Sequence, residues 1–235
     1  MGERIHFPSS TGDGFTIIEV LAVAAIVAML AAVAVPALNS ARAASRAASC
    51  ATKLRSLAVG IPLYAQDHDG EYPRSFHSAG VHREPGWAAS IATYLGAPAT
   101  VSPAGWKTVF NRYFRCPADS STDATVYSYG MNVFYELTPD GDDYQGSPST
   151  WRRACQVASP SKTILLAETR PVAFGDHFMC HQWSGIPAAR NAVASDRHSK
   201  KSNYLFVDGH VEALPVEATI NPALGVNLWN PSLAK

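Results

Sequence analysis

The sequence predicts an α+β fold in which one long N-terminal helix packs on a mostly antiparallel β-sheet head. Three observations lead there. An apolar run opens the chain from Phe15 to Leu38, an apolar stripe at helical spacing follows it, and short β-branched and aromatic runs fill the remainder. Segments 1–14, 15–38, 39–66 and 67–235 are therefore read as a preceding N-terminal stretch, membrane-length helix, exposed helix extension and globular head.

The run FTIIEVLAVAAIVAMLAAVAVPAL is about 24 residues, and a helix of that length rises roughly 36 Å, enough for a hydrocarbon core of about 30 Å. Glu19 is its one charged residue. An ionisable group inside such a stretch is costly and marks function. A secretory signal would show a basic start and a shorter apolar core. A plain anchor fits the length and leaves Glu19 unexplained.

Beyond Leu38, Leu54, Leu57, Ala58, Ile61 and Tyr64 or Ala65 recur at three- and four-residue steps and give one apolar face. A helix to about Gln66 is expected, with Pro62 as a place to bend and Gly70 as terminator. Asp67, Asp69 and Glu71 alternate as calcium ligands can, although a solvated helix end is the expected reading. In the head, Trp87 to Leu95 reads as a short helix. Lys107 to Phe114, Val126 to Tyr135 and Thr163 to Ala167 read as strands, and Thr138 to Thr150 as an exposed loop. Two alternating runs flank Asp208-Gly209, which predicts a hairpin from Ser202 to Leu214.

Composition narrows the function. The chain is 47% hydrophobic and 16% charged, and its 19 basic and 19 acidic residues cancel, so no basic excess exists to hold nucleic acid. No nucleophile elbow, phosphate loop or dinucleotide fingerprint is present, and the chain reads as structural rather than enzymatic. His177 and His181, four apart, would share a helix face as zinc ligands do. A membrane-anchored zinc hydrolase is the least favoured alternative, since no Glu follows His177 and nearby Gly and Pro favour a loop.

The block Gly14-Phe15-Thr16-Ile17-Ile18-Glu19 resembles the prepilin cleavage and methylation motif of type IV pilins and type II secretion pseudopilins. His198, nine residues, then Asp208-Gly209 resembles the H-x9-DG signature of a large group of bacterial prepilin-like proteins. Phe114-Arg115-Cys116-Pro117, Ser128-Tyr129-Gly130-Met131-Asn132 and Pro160 to Glu168 echo the same group. The resemblance implies cleavage by a prepilin peptidase after Gly14 and N-methylation of Phe15. It also implies pairing of Glu19 with the Phe15 amine of a neighbouring copy.

The protein would then lie in a bacterial inner membrane as a single-pass subunit with a periplasmic head. Its partners would be other pilin-like copies, the assembly machinery and the lipid bilayer. Leaders of the family carry several basic residues, whereas here Arg4 is offset by Glu3 and Asp13. A minor pilin or tip adhesin is the alternative, with Trp87, Trp106, Trp151 and Trp183 as stacking platforms for a surface or glycan.

His198 is expected to bond Asp208 or the turn backbone and fix the hairpin, the alternative being a metal or ligand role with Asp208 and His210. In an exported head, Cys50, Cys116, Cys155 and Cys180 allow three disulfide pairings. A Cys50–Cys116 bridge tying helix to head, with Cys155–Cys180 as the second, is the pairing expected. No cofactor beyond calcium is implied.

Overall fold

The structure, a computed structural model, describes residues 14–121, 123, 126–138, 141–142, 151–171 and 175–234. The leader before Gly14 and most of the loop expected at Thr138 to Thr150 lie outside them. Contacts divide the chain into two units, Met1–Arg42 and Ala43–Lys235.

Helix α1 runs Ile17–Gln66 and passes through Pro36 and Pro62 without a break. It ends through Asp69 and Gly70, both at positive φ, with Gly70 N donating to Ala65 O at 2.8 Å. In the second unit, the α1 residues Cys50, Leu54, Leu57, Ile61 and Tyr64 are buried. Leu54, Leu57 and Ile61 are fully covered, and each such side chain contributes about 1.5–3 kcal/mol.

Helix α2 (Phe76–His82) follows, and against the α1 face pack two short helices, α3 (Trp87–Ile91) and α4 (Pro103–Tyr113). The helix expected at Trp87 to Leu95 is thus split, with a 3-10 turn over Thr93–Leu95. The strand expected at Lys107 to Phe114 is a correction, because these residues belong to α4. Ser102 caps α4 by accepting from Gly105 N at 3.1 Å, and Pro103 opens it. Trp106, Val109, Phe110, Tyr113 and Phe114 then fall at helical steps.

Strands β1 (Tyr129–Asn132), β2 (Leu137–Thr138), β3 (Gly141–Asp142), β4 (Ile164–Glu168) and β5 (His177–Phe178) precede helix α5 (Ile186–Ala192). Strands β6 (Ser202–Phe206), β7 (Val211–Leu214), β8 (Ile220–Asn221) and β9 (Val226–Asn227) complete the head. The main sheet has the order β5-β1-β4-β6-β7, antiparallel except for the β1–β5 pair. The strand expected at Val126 to Tyr135 is shorter, because Asn132 accepts from Phe134 N at 3.0 Å and starts a 3-10 turn at Val133. Strands β2 and β3 pair as a short ladder inside the expected loop.

Both faces of the sheet are covered, since consecutive residues of β1, β4 and β6 point to opposite faces and all are buried. Tyr129, Met131, Leu166 and Leu205 join the α1 face, whereas Ala167, Phe178, Tyr204 and Phe206 pack with Ala189, Ile220 and Trp229. Gly130 on β1 has a reason in this packing, since a Cβ there would lie 2.9 Å from Cε2 of the buried Phe178. Gly130→Ala is expected to destabilise the head by about 1–3 kcal/mol through overpacking, read as a lowered denaturation midpoint with unchanged slope.

Candidate functional sites: an uncovered apolar helix and a buried disulfide cluster

In the first unit, every described residue from Gly14 to Arg42 is exposed, including Phe15, Ile17, Ile18, Leu21, Met29 and Leu30. This stretch of α1 is long and apolar enough to cross a membrane. Glu19 closes a reciprocal cap at its start. Its Oε2 accepts from Thr16 N at 2.8 Å and Thr16 Oγ1 at 2.9 Å, while Glu19 N donates back to Thr16 Oγ1 at 3.3 Å. Local helix chemistry thus gives Glu19 one role that sequence reading did not foresee.

The second site is buried in the head. A disulfide joins Cys50 on α1 to Cys116, which follows α4. Cys116 Sγ lies 3.7 Å from His198 Nε2, and that nitrogen is 2.8 Å from Glu168 Oε1. A carboxylate only accepts, so the ring carries its proton on Nε2 when Glu168 is ionised. Glu168, at the end of β4, has no exposure. Its Oε1 also accepts from Asn203 Nδ2 at 3.2 Å, and its Oε2 from Asn203 N at 2.9 Å and Ser202 Oγ at 3.3 Å. Arg197 lashes the neighbouring backbone through Ser128 O, Thr169 O and the carboxylate of Asp119.

The partner expected for His198 is therefore corrected. Asp208 does not meet it and instead accepts from His210 N at 3.1 Å and faces His210 Nδ1 at 2.6 Å. His198 and Asp208 flank the two ends of β6. The hairpin turn itself is also different in detail, with Gly209 at φ 90° but Asp208 outside the left-handed region. Gly209 N donates to Phe206 O, so the loop spans Val207, Asp208 and Gly209. His210 stacks on Phe206. Glu168 was overlooked as a site residue, and the only signal was a carboxylate ending the apolar run Ile164-Leu165-Leu166-Ala167.

The expected Cys155–Cys180 bridge is a second correction, since both cysteines are free. Cys155 is exposed. Cys180 is buried, its thiol donates to Asn132 Oδ1 at 2.8 Å, and burial pushes that thiol up to about 12. The calcium candidates Asp67, Asp69 and Glu71 line one open pocket, and two of them have protein partners. Asp67 accepts from Tyr94 Oη, and Glu71 pairs with Arg152 at 2.8 Å and Arg153 at 3.3 Å.

His177 and His181 do not share a helix face, because His177 lies on β5 and His181 on a 3-10 turn. His177 Nδ1 faces Asp176 Oδ1 at 2.7 Å. Trp87 is no stacking platform. It is fully buried and donates to Asp176 O, while Trp106, Trp151 and Trp183 are half-buried against the two cores.

No family model, curated protein or solved structure matches the chain.

Two stability measurements follow from the cluster. The disulfide closes a sequence separation of 66 residues. Cys50→Ser with Cys116→Ser is expected to lower head stability by about 4 kcal/mol in the chain-entropy account, measured by denaturant titration. The turn His198-Ser199-Lys200-Lys201 holds Ser199 at φ 54° and Lys200 at φ 68°, a geometry suited to Asn-Gly. Ser199→Asn with Lys200→Gly is expected to stabilise by about 1 kcal/mol, seen as a higher thermal midpoint.

Proposed function

We propose that the chain is a structural subunit of a type IV pilin-like filament, a pseudopilin of a type II secretion or pilus-like system. The observation that carries this reading is the position of Gly14-Phe15-Thr16-Ile17-Ile18-Glu19 at the start of an apolar helical stretch that is wholly exposed as far as Arg42. Water does not tolerate so much contiguous apolar surface, and a bilayer or the helices of other copies would cover it.

In this reading the membrane stores the subunit. Cleavage between Gly14 and Phe15 replaces an amide with a cationic amine one residue ahead of Thr16. Glu19 then exchanges its local cap for a charged partner, the Phe15 amine of an adjacent copy, which sets the register of the bundle. Helix association in lipid gains little from apolar burial, so the Ala-rich surface of the run and this pair would provide most of the contact energy.

The test is the N-terminal residue and mass of the full chain extracted from membranes after co-expression with a prepilin peptidase. A start at N-methylated Phe15 is the expected result. An intact Met1 would leave a plain anchor, and a start near Ala44 would mean a released soluble domain. Glu19→Leu is expected to be processed normally and to drop out of co-purified filaments.

A further inference from the structure

The geometry points to a second use of the buried cluster: with the disulfide open, Cys50, Cys116, His198 and Glu168 form a four-ligand site for a zinc-type divalent metal. The four donor atoms lie within 4.8 Å of one another, and all four residues are buried. A tetrahedral zinc holds sulfur at about 2.3 Å and nitrogen or oxygen at about 2.0–2.2 Å, so its donors span about 3.3–3.8 Å. With their Cα atoms 5.0 Å apart, the two cysteines can bring their sulfurs to that spacing by side-chain rotation.

A disulfide alone does not explain the surroundings. It is an apolar cross-link that asks nothing of its neighbours, yet Cys116 Sγ has Ala118 N at 3.4 Å and His198 Nε2 at 3.7 Å. An amide aimed at sulfur is worth most when the sulfur is a thiolate. The remaining donors are already oriented. Asn203 and Ser202 hold both oxygens of the Glu168 carboxylate, the kind of outer support that metal ligands receive.

The metal would take the place of the proton on Nε2, which shifts to Nδ1 of the same neutral ring. Two thiolates and a carboxylate around a divalent ion leave one negative charge. Opening the bridge takes two electrons from a phosphine reductant, which becomes the phosphine oxide with the oxygen of one water, and the two protons of that water, and gives two thiols. Metal binding then releases two protons. Oxidation and metal binding thus compete for one pair of sulfurs. This inference is independent of the pilin reading.

The experiment uses the full chain in detergent with Cys155→Ser, which removes the exposed free thiol. A phosphine reductant opens the bridge, alkylation and mass of a separate aliquot confirm the two new thiols, and cobalt(II) is titrated into the unalkylated remainder. One equivalent is expected, with thiolate-to-cobalt absorption in the near ultraviolet and the intense visible bands of a tetrahedral ion. Zinc should displace it, and the oxidised chain should give neither signal.

His198→Ala is expected to weaken apparent affinity by about tenfold or more. Glu168→Gln should weaken it too. If reduction disturbs the tryptophan near-ultraviolet dichroism, cobalt should restore it. The inference is overturned by a reduced chain with confirmed thiols that gives no charge-transfer band. It is equally overturned if neither His198→Ala nor Glu168→Gln changes the affinity, or if cobalt fails to restore a lost fold.

Discussion

The head depends on the burial of one carboxylate. Glu168 ends β4, the central strand of the main sheet, and reaches zero exposure only because β6 and His198 supply four hydrogen bonds to it. Left without them, a buried carboxylate would cost several kcal/mol and would tend to take up a proton instead. The neighbours of Glu168 therefore have to be in place before the strand can be. Asn203 fixes β6 against β4, His198 brings in the preceding turn, and the ring leads on to Cys116 and so to α1. A polar anchor and a covalent tie meet at one point, and the apolar cores close around it.

Much of this architecture was legible in the sequence because it rests on period and composition. The buried face of α1 is the one that spacing from Leu54 to Tyr64 defines, and the β6–β7 hairpin follows from two alternating runs around a glycine. Residues whose fate depends on partners far along the chain were harder. Lys107 to Phe114 is rich in aromatic and β-branched side chains and reads as strand, yet Ser102 and Pro103 start a helix whose face fits beside α1. Propensity is a weak prior, and tertiary packing overrode it here.

The site was half legible for the same reason. The cysteine on the helix and the histidine of the signature stand out by residue type. Their meeting with Glu168 does not, because it brings together positions spread over 149 residues, from Cys50 to His198. The His198–Asp208 contact was the natural expectation for two residues on one hairpin. The structure instead gives each a nearer partner, Glu168 on the adjoining strand for one and His210 across the turn for the other.

That separation makes the interval between His198 and Asp208 a rule of parity. The first end of β6 is moored at the carboxylate and the last end at the turn, so the count of residues between them decides which side chains look each way. Tyr204 and Phe206 belong to one core and Leu205 to the other. Adding or removing a single residue within the strand would exchange the two allegiances, sending a phenol toward α1 and a leucine toward Trp229, while a change of two would keep them. A one-residue change in length within β6 would thus disturb both cores, and a change of two would pull one mooring away from its partner.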